Sequence, residues 1–266
     1  MSSMVVVSRL LHFSVALFCM YLFFGIYLYA IQDSLLYHPD TQDFFDCPQF
    51  AHYEKVIYEG TRMYYLAQES DSIIVQYHGN AGSACGRFYL QDIFEPTGAS
   101  VLFVEYSGFA NDTISPDKSG ILENAQAVTQ FVSAQNYSQV IAYGESLGSA
   151  VASYHAYVGK VDALILISPF TGMADVVQYH YRIYPATFLL RDTYDSIYWL
   201  SNFEGDVLIL HGAMDTIVPS QLSQDLAKSL SNATVVRIEY SDKGHNDMWS
   251  DEFVADIRDF LESILD

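Results

Sequence analysis

Apolar residues fall along this chain in three spacings. The first is an unbroken block: Leu10 to Ile31 reads LLHFSVALFCMYLFFGIYLYAI, without a charged residue. As a helix it spans about 33 Å, enough to cross a hydrocarbon core of about 30 Å. Arg9 precedes it and Asp33 is the next charge. His12 and Ser14 lie near its start, and Tyr27 and Tyr29 near its far end suit an aromatic belt. The run exceeds the roughly 7–15 residues of a signal-peptide core and lacks a clear A-x-A site. A buried core helix is the other reading, but a run this long is rare there. Residues 1–32 are therefore expected to form one membrane anchor. Arg9 on the N-terminal side orients that side to the cytoplasm and puts the rest of the chain outside or in a lumen.

The second spacing is short and near-continuous. Ser72 to Tyr77, Ser100 to Tyr106, Val140 to Tyr143, Ala163 to Ile167, Val207 to Leu210 and Thr234 to Ile238 are Val/Ile/Leu-rich. Such runs mark strands covered on both faces. Lys55 to Tyr58 and Met63 to Leu66 suggest an early antiparallel pair. The third spacing is helical. Ile121, Ala125, Val128, Phe131 and Val132 share one face, as do Leu222, Leu226 and Leu230, and Phe253, Ile257, Phe260, Leu261 and Ile264. Strands alternating with helices predict an α/β domain over 33–266, its mostly parallel sheet covered by helices on both faces. One interval breaks the rhythm. Residues 171–203 hold no core strand but carry Tyr179, Tyr181, Tyr184, Phe188, Tyr194, Tyr198 and Trp199. They are expected to form a cap-like helical insertion over the sheet's carboxyl edge; a crossover helix with a long loop is the plainer alternative.

Charge narrows the function. Twelve Lys+Arg against 32 Asp+Glu give a net charge of −20, which repels phosphate backbones and excludes nucleic-acid binding. The same sign disfavours a polybasic dock on anionic lipid. No CxxC, HExxH or Cys/His cluster occurs, so no metal site is expected, and the chemistry below needs no cofactor. Of the three cysteines, Cys19 lies in the apolar block, and Cys47 and Cys85 are free to pair in an oxidising compartment. Asn111, Asn136 and Asn232 each open an Asn-x-Ser/Thr pattern, which matters only if a host glycosylates a lumenal domain.

Candidate chemistry sits at strand exits. Tyr143-Gly144-Glu145-Ser146-Leu147-Gly148 follows a strand and opens a helix. A sharp strand–turn–helix needs minimal side chains beside the apex, and it pushes the apical serine into the open, as in the G-x-S-x-G elbow. A hydroxyl is a poor nucleophile without a base and an acid that orients the base. Asp215 lies just past the 207–210 strand and His245 in Lys243-Gly244-His245-Asn246-Asp247. Asp242 and Asp247 compete for the acid role, though sequence neighbours of a histidine usually point elsewhere. His78-Gly79-Asn80-Ala81-Gly82 closes the 72–77 strand. A backbone N–H from Asn80 or Ala81, with that of Leu147, would form an oxyanion hole. His78 and His211 are read as structural, and Glu145 as a packed or pocket-edge side chain.

YHGNAG (77–82), YGESLG (143–148), ISPF (167–170), LILHGAMDTIVP (208–219) and KGHND (243–247) together resemble the α/β-hydrolase superfamily. Ser34-Leu35-Leu36-Tyr37 and the 189–196 run resemble its members that carry one N-terminal membrane helix. The resemblance covers roughly residues 35–266. It implies Ser146 as nucleophile, Asp215 as acid and His245 as base, with Asn80/Ala81 and Leu147 as oxyanion donors. It also implies acyl esterase, lysophospholipase-like or protein-depalmitoylating thioesterase activity. The aromatic insertion 171–203 and the anchor suggest an apolar acyl chain presented at a membrane; aromatics that are core packing, with a small soluble ester as substrate, are the plainer alternative. The chain departs from the family at Tyr106-Ser107-Gly108-Phe109-Ala110, where Tyr-Arg-Gly-Tyr-Gly is common. An amide or peptide hydrolase with the same residues is an alternative, as is a non-catalytic scaffold; dehalogenation through an Asp nucleophile is disfavoured by the serine.

Overall fold

The computed structural model describes residues 2–265, with side chains from Val7 onward. Met1, the first residue of the expected anchor, and Asp266, the last of the expected domain, lie outside the described residues. Helix α1 runs Ser2–Leu36 without a break. Its stretch Val7–Leu36 is long and apolar enough to cross a membrane, and no residue of its most apolar part is buried. Phe13, Phe18, Phe23 and Ile26 are all more than 60% exposed. Apolar surface of this extent on every side of a helix is stable in lipid and not in water.

After α1 the chain forms one eight-stranded sheet. Strands β1 (Glu54–Tyr58) and β2 (Thr61–Leu66) form a hairpin, whose turn at Glu59 and Gly60 has φ of 46° and 79°. Two positive φ values in a two-residue turn match the right-handed twist of the strands. Then come β3 (Ser72–Tyr77), β4 (Ser100–Glu105), β5 (Gln139–Glu145), β6 (Ala163–Ile167), β7 (Asp206–Gly212) and β8 (Thr234–Tyr240). Their spatial order is β8-β7-β6-β5-β3-β4-β2-β1, parallel from β8 through β4. The Val/Ile/Leu runs are buried because both faces are covered. One face meets α2 (Lys118–Ala134) and α3 (Leu147–Val158); the other meets the C-terminal helix Asp251–Leu265 and the Cys85–Phe94 segment. Cys47 and Cys85 are disulfide-bonded, with Cα atoms 6.0 Å apart.

Residues 171–203 contain α4 (Met173–His180), a turn of helix at Ala186–Leu189, and α5 (Ser196–Leu200). Their aromatics divide. Tyr194 and Trp199 belong to the domain core, whereas Tyr179, Phe188 and Tyr198 are exposed. The departing loop after β4 is held by Arg62. Its guanidinium donates to the carbonyls of Tyr106, Phe109 and Ala110 at 3.3, 2.7 and 3.2 Å, and to Asp112 at 3.1 Å. Arg62 thus fastens a loop that lacks the family's own arginine, and Ala110 adopts the positive φ of 48° in place of a glycine.

Candidate active site

Ser146 stands at the tip of β5 with φ 50° and ψ −113°, a conformation unfavourable for any residue with a Cβ. The turn closes because its flanks are bare. A Cβ on Gly144 would meet the Gly148 carbonyl oxygen at 2.2 Å, and one on Gly148 would meet that of Tyr77 at 2.2 Å. The Ser146 N–H donates to Ile167 O at 2.8 Å, locking the apex to β6. Helix α3 starts at Leu147, so the N–H of Leu147 is among the first-turn donors without a helical partner.

Asp215 follows β7 and is cradled by its own loop: Oδ1 accepts from the N–H groups of Ile217 and Val218, both at 2.8 Å. Its Oδ2 lies 2.6 Å from His245 Nδ1. His245 Nε2 lies 3.0 Å from Ser146 Oγ. The three residues, 30 and 99 positions apart, thus form one hydrogen-bonded line. Nδ1 facing a carboxylate carries the proton, which leaves the Nε2 lone pair towards the serine hydroxyl. Burial alone would raise the Asp215 pKa, but hydrogen bonds from His211 and His245 and the loop N–H of Val218 outweigh it and hold the carboxyl well below its usual range. His211 Nε2 sits 3.2 Å from Oδ2 and 2.9 Å from Val218 O. His211 therefore supports the acid, a contact that sequence reading missed because only the β7 exit brings the two together.

The rival carboxylates fall elsewhere. Asp247 accepts from Gly244 N–H at 2.5 Å and so shapes the histidine loop. Asp242 is exposed on that loop. Glu145 accepts from Arg87 Nε at 2.8 Å, Tyr143 OH at 3.2 Å and Tyr89 OH at 3.3 Å. His78 is fully buried, 3.2 Å from Glu105, and its Nδ1 donates to Gly79 O at 2.7 Å.

The Asn80–Ala81 loop is fastened on two sides. The Asn80 side chain donates to Leu36 O at 2.6 Å, and its carbonyl accepts from His38 N–H at 2.8 Å. Ala81 pairs with His38, and its carbonyl accepts from Arg87 at 3.2 Å. The end of α1 is thereby bound directly to the loop beside Ser146. Two cavities meet at Ser146. One of about 350 Å³ is mainly apolar and runs between α1 and α4. The other, about 560 Å³, is more polar and is bordered by Arg87, Glu145, His245 and Asn246. Among the described residues no cluster of His, Cys, Asp and Glu is arranged to hold a metal.

A sheet of this order, with a serine after β5, an acid after β7 and a histidine after β8, can be set beside known proteins. An uncharacterized protein of Mycobacterium tuberculosis is 34% identical over 173 residues, 64% of this chain and 61% of that protein. Lysophosphatidylserine lipase ABHD12 of Danio rerio is 30% identical over 203 residues, 65% of this chain and 53% of the lipase. Pyrococcus furiosus esterase Pf2001 superposes with a TM-score of 0.64 at 14% identity, covering 87% of this chain and 98% of the esterase. The chain has the α/β-hydrolase fold. No family model matches it. The matches span between half and two thirds of the length of the two sequence relatives. In this chain Ser146, Asp215 and His245 lie at the carboxyl ends of the strands, where open parallel sheets build their sites.

Proposed function

We propose that this α/β-hydrolase is a serine hydrolase that cleaves an ester or thioester of an acyl substrate at a membrane. The Ser146–His245–Asp215 line carries the reading. Ser146 Oγ attacks the acyl carbonyl while His245 Nε2 takes its proton, and Asp215 stabilises the imidazolium and fixes its tautomer. The N–H of Leu147 and one from Asn80 or Ala81 stabilise the oxyanion. The C–O or C–S bond breaks, His245 returns the proton to the leaving group, and water then attacks the acyl-enzyme by the same route. The lipase relative and the apolar cavity at Ser146 support an acyl substrate.

In the same reading, residues 1–32 anchor the chain, 33–266 form the hydrolase domain, and 171–203 form its cap. The domain faces away from the cytosol. Arg9 and the Cys47–Cys85 disulfide support that side. Labelling with a fluorophosphonate tests the chemistry. The wild type becomes labelled, while Ser146→Ala and His245→Ala lose the label. A folded wild type that stays unlabelled leaves a scaffold without hydrolase activity.

A further inference from the structure

The apolar cavity has a wall that a soluble hydrolase would lack. Gly25, Leu28 and Leu35 of α1 line one side, Val176, Val177 and Tyr184 the other, and Ser146 and Leu147 the inner end. Helix and insertion are joined at two levels. Near the far end, Tyr184 stacks on Tyr21 with ring centroids 4.6 Å apart. There Tyr184 OH donates to Tyr21 O at 2.9 Å, and Tyr21 OH donates to Ile183 O at 3.0 Å. Near the domain, Arg191 pairs with Asp33 at 2.7 Å, and its N–H donates to Gln32 at 2.8 Å. Between these levels the helix is spaced from the insertion and the cavity lies in the gap. Gly25 permits the approach, since a Cβ there would meet Tyr184 at 2.9 Å.

The upper level lies deep along the span. From Leu36 to Tyr21 is about 22 Å of helix. The roughly 20 residues that a hydrocarbon core needs, counted from Leu10 just after the charged Arg9, end near Tyr29. Tyr21 and Gly25 therefore lie within the leaflet nearer the domain. The insertion's tip is dressed for that depth, with Ile183 72% and Phe188 87% exposed. Sequestered from water by lipid, these side chains carry no exposure penalty.

We infer that this cavity is the acyl-chain site and that the membrane-spanning helix is a working wall of it. The chain of a lipid ester enters sideways between α1 and α4 from the proximal leaflet, without leaving hydrocarbon. Its carbonyl then meets Ser146, and the leaving group departs through the polar cavity beside Arg87 and Asn246. The inference rests on the serine-hydrolase reading and adds to it where the acyl chain lies and how it arrives.

The test uses the full chain in phosphatidylcholine nanodiscs and a long-chain alkyl fluorophosphonate with a diazirine at the far end of the chain. After phosphonylation and photolysis, peptide mapping locates the chain end. The expected crosslinks fall on Gly25, Leu28 or Leu35 of α1 and on Val176, Val177 or Tyr184. Phosphonylated Ser146 with crosslinks confined to Tyr89 and Trp249, or captured only by lipid, overturns the inference. A folded wild type that is not phosphonylated overturns the serine-hydrolase reading itself. Independently, Gly25→Leu lowers the ratio of long-chain to short-chain ester turnover about tenfold, with Leu28→Trp as the second variant should Gly25→Leu not fold. An unchanged ratio in a folded variant overturns the inference.

Discussion

Ser146 holds φ 50° although it is not glycine, and such a conformation persists only where surrounding contacts overdetermine it. Here the Ile167 carbonyl and the bare flanks at Gly144 and Gly148 do so. The acid is held as firmly, by two loop N–H groups and two histidines. If Asp215 only orients and stabilises the imidazole, Asp215→Asn leaves the site's shape intact but presents the wrong tautomer. Steady-state kinetics on a short acyl ester should then show kcat lower by about 10⁴ with little change in KM. A KM effect of similar size would place Asp215 in substrate binding instead. Ser146, Asp215 and His245 were legible because each stands at a strand exit in the family's chain order. Their supports were not. Arg87 and Glu145 are 58 positions apart, and Arg62 reaches its loop carbonyls across 44 to 48 positions. No local pattern announces such a pair; it exists only once the sheet has formed.

At the scale of elements, the close approach of α3 to β3 and β5 decides whether the elbow exists. Gly148→Ala would push a methyl into the Tyr77 carbonyl, and backbone cannot yield as a flexible side chain does. The cost is at least about 3 kcal/mol, seen as a thermal midpoint lower by about 6–12 °C; a wild-type midpoint would refute the packing argument. Helix α3 also carries a pH dependence. His155 is buried with Nδ1 2.9 Å from Tyr77 OH and no partner on Nε2, and burial pushes its pKa down to about 4. The sign follows from proton counts. Between about pH 6.5 and 4 the unfolded chain binds this proton and the folded chain does not, so stability falls as pH drops through that window. The loss, on the order of 3 kcal/mol, is complete below pH 4. Melting curves from pH 7 to 4 should slope for wild type and flatten for His155→Gln. Asp215 acts in a separate, lower window: its depressed pKa stabilises the fold above the usual carboxylate range, and that contribution is lost as pH falls below it. The sheet strands were legible because burial on both faces leaves continuous apolar runs. The 171–203 interval was legible only as an interruption. Its aromatics split between core and exterior, so no single period describes its short helices.

For the whole molecule, the question is which side of the membrane the domain occupies. Cys47 and Cys85 close a loop with a sequence separation of 38, and a crosslink of that span restricts the unfolded chain by about 4 kcal/mol. Such bonds form and persist chiefly in oxidising compartments and are rare in a reducing cytosol. Asn111, Asn136 and Asn232 are all exposed, so each acceptor pattern is open to modification. These observations bear on topology independently of Arg9. The expected result in a glycosylating host is a chain that shifts in mobility on endoglycosidase treatment and stops shifting once all three asparagines are changed to glutamine. In the purified protein, reduction should lower the thermal midpoint by about 8–16 °C, and Cys47→Ser should do the same without reductant. A chain that is unglycosylated in that host, with both thiols reduced in cells, would put the domain on the cytosolic side. The anchor and the lateral acyl route would stand in that case, because both depend on how α1 packs against 171–203 and not on which leaflet that packing faces.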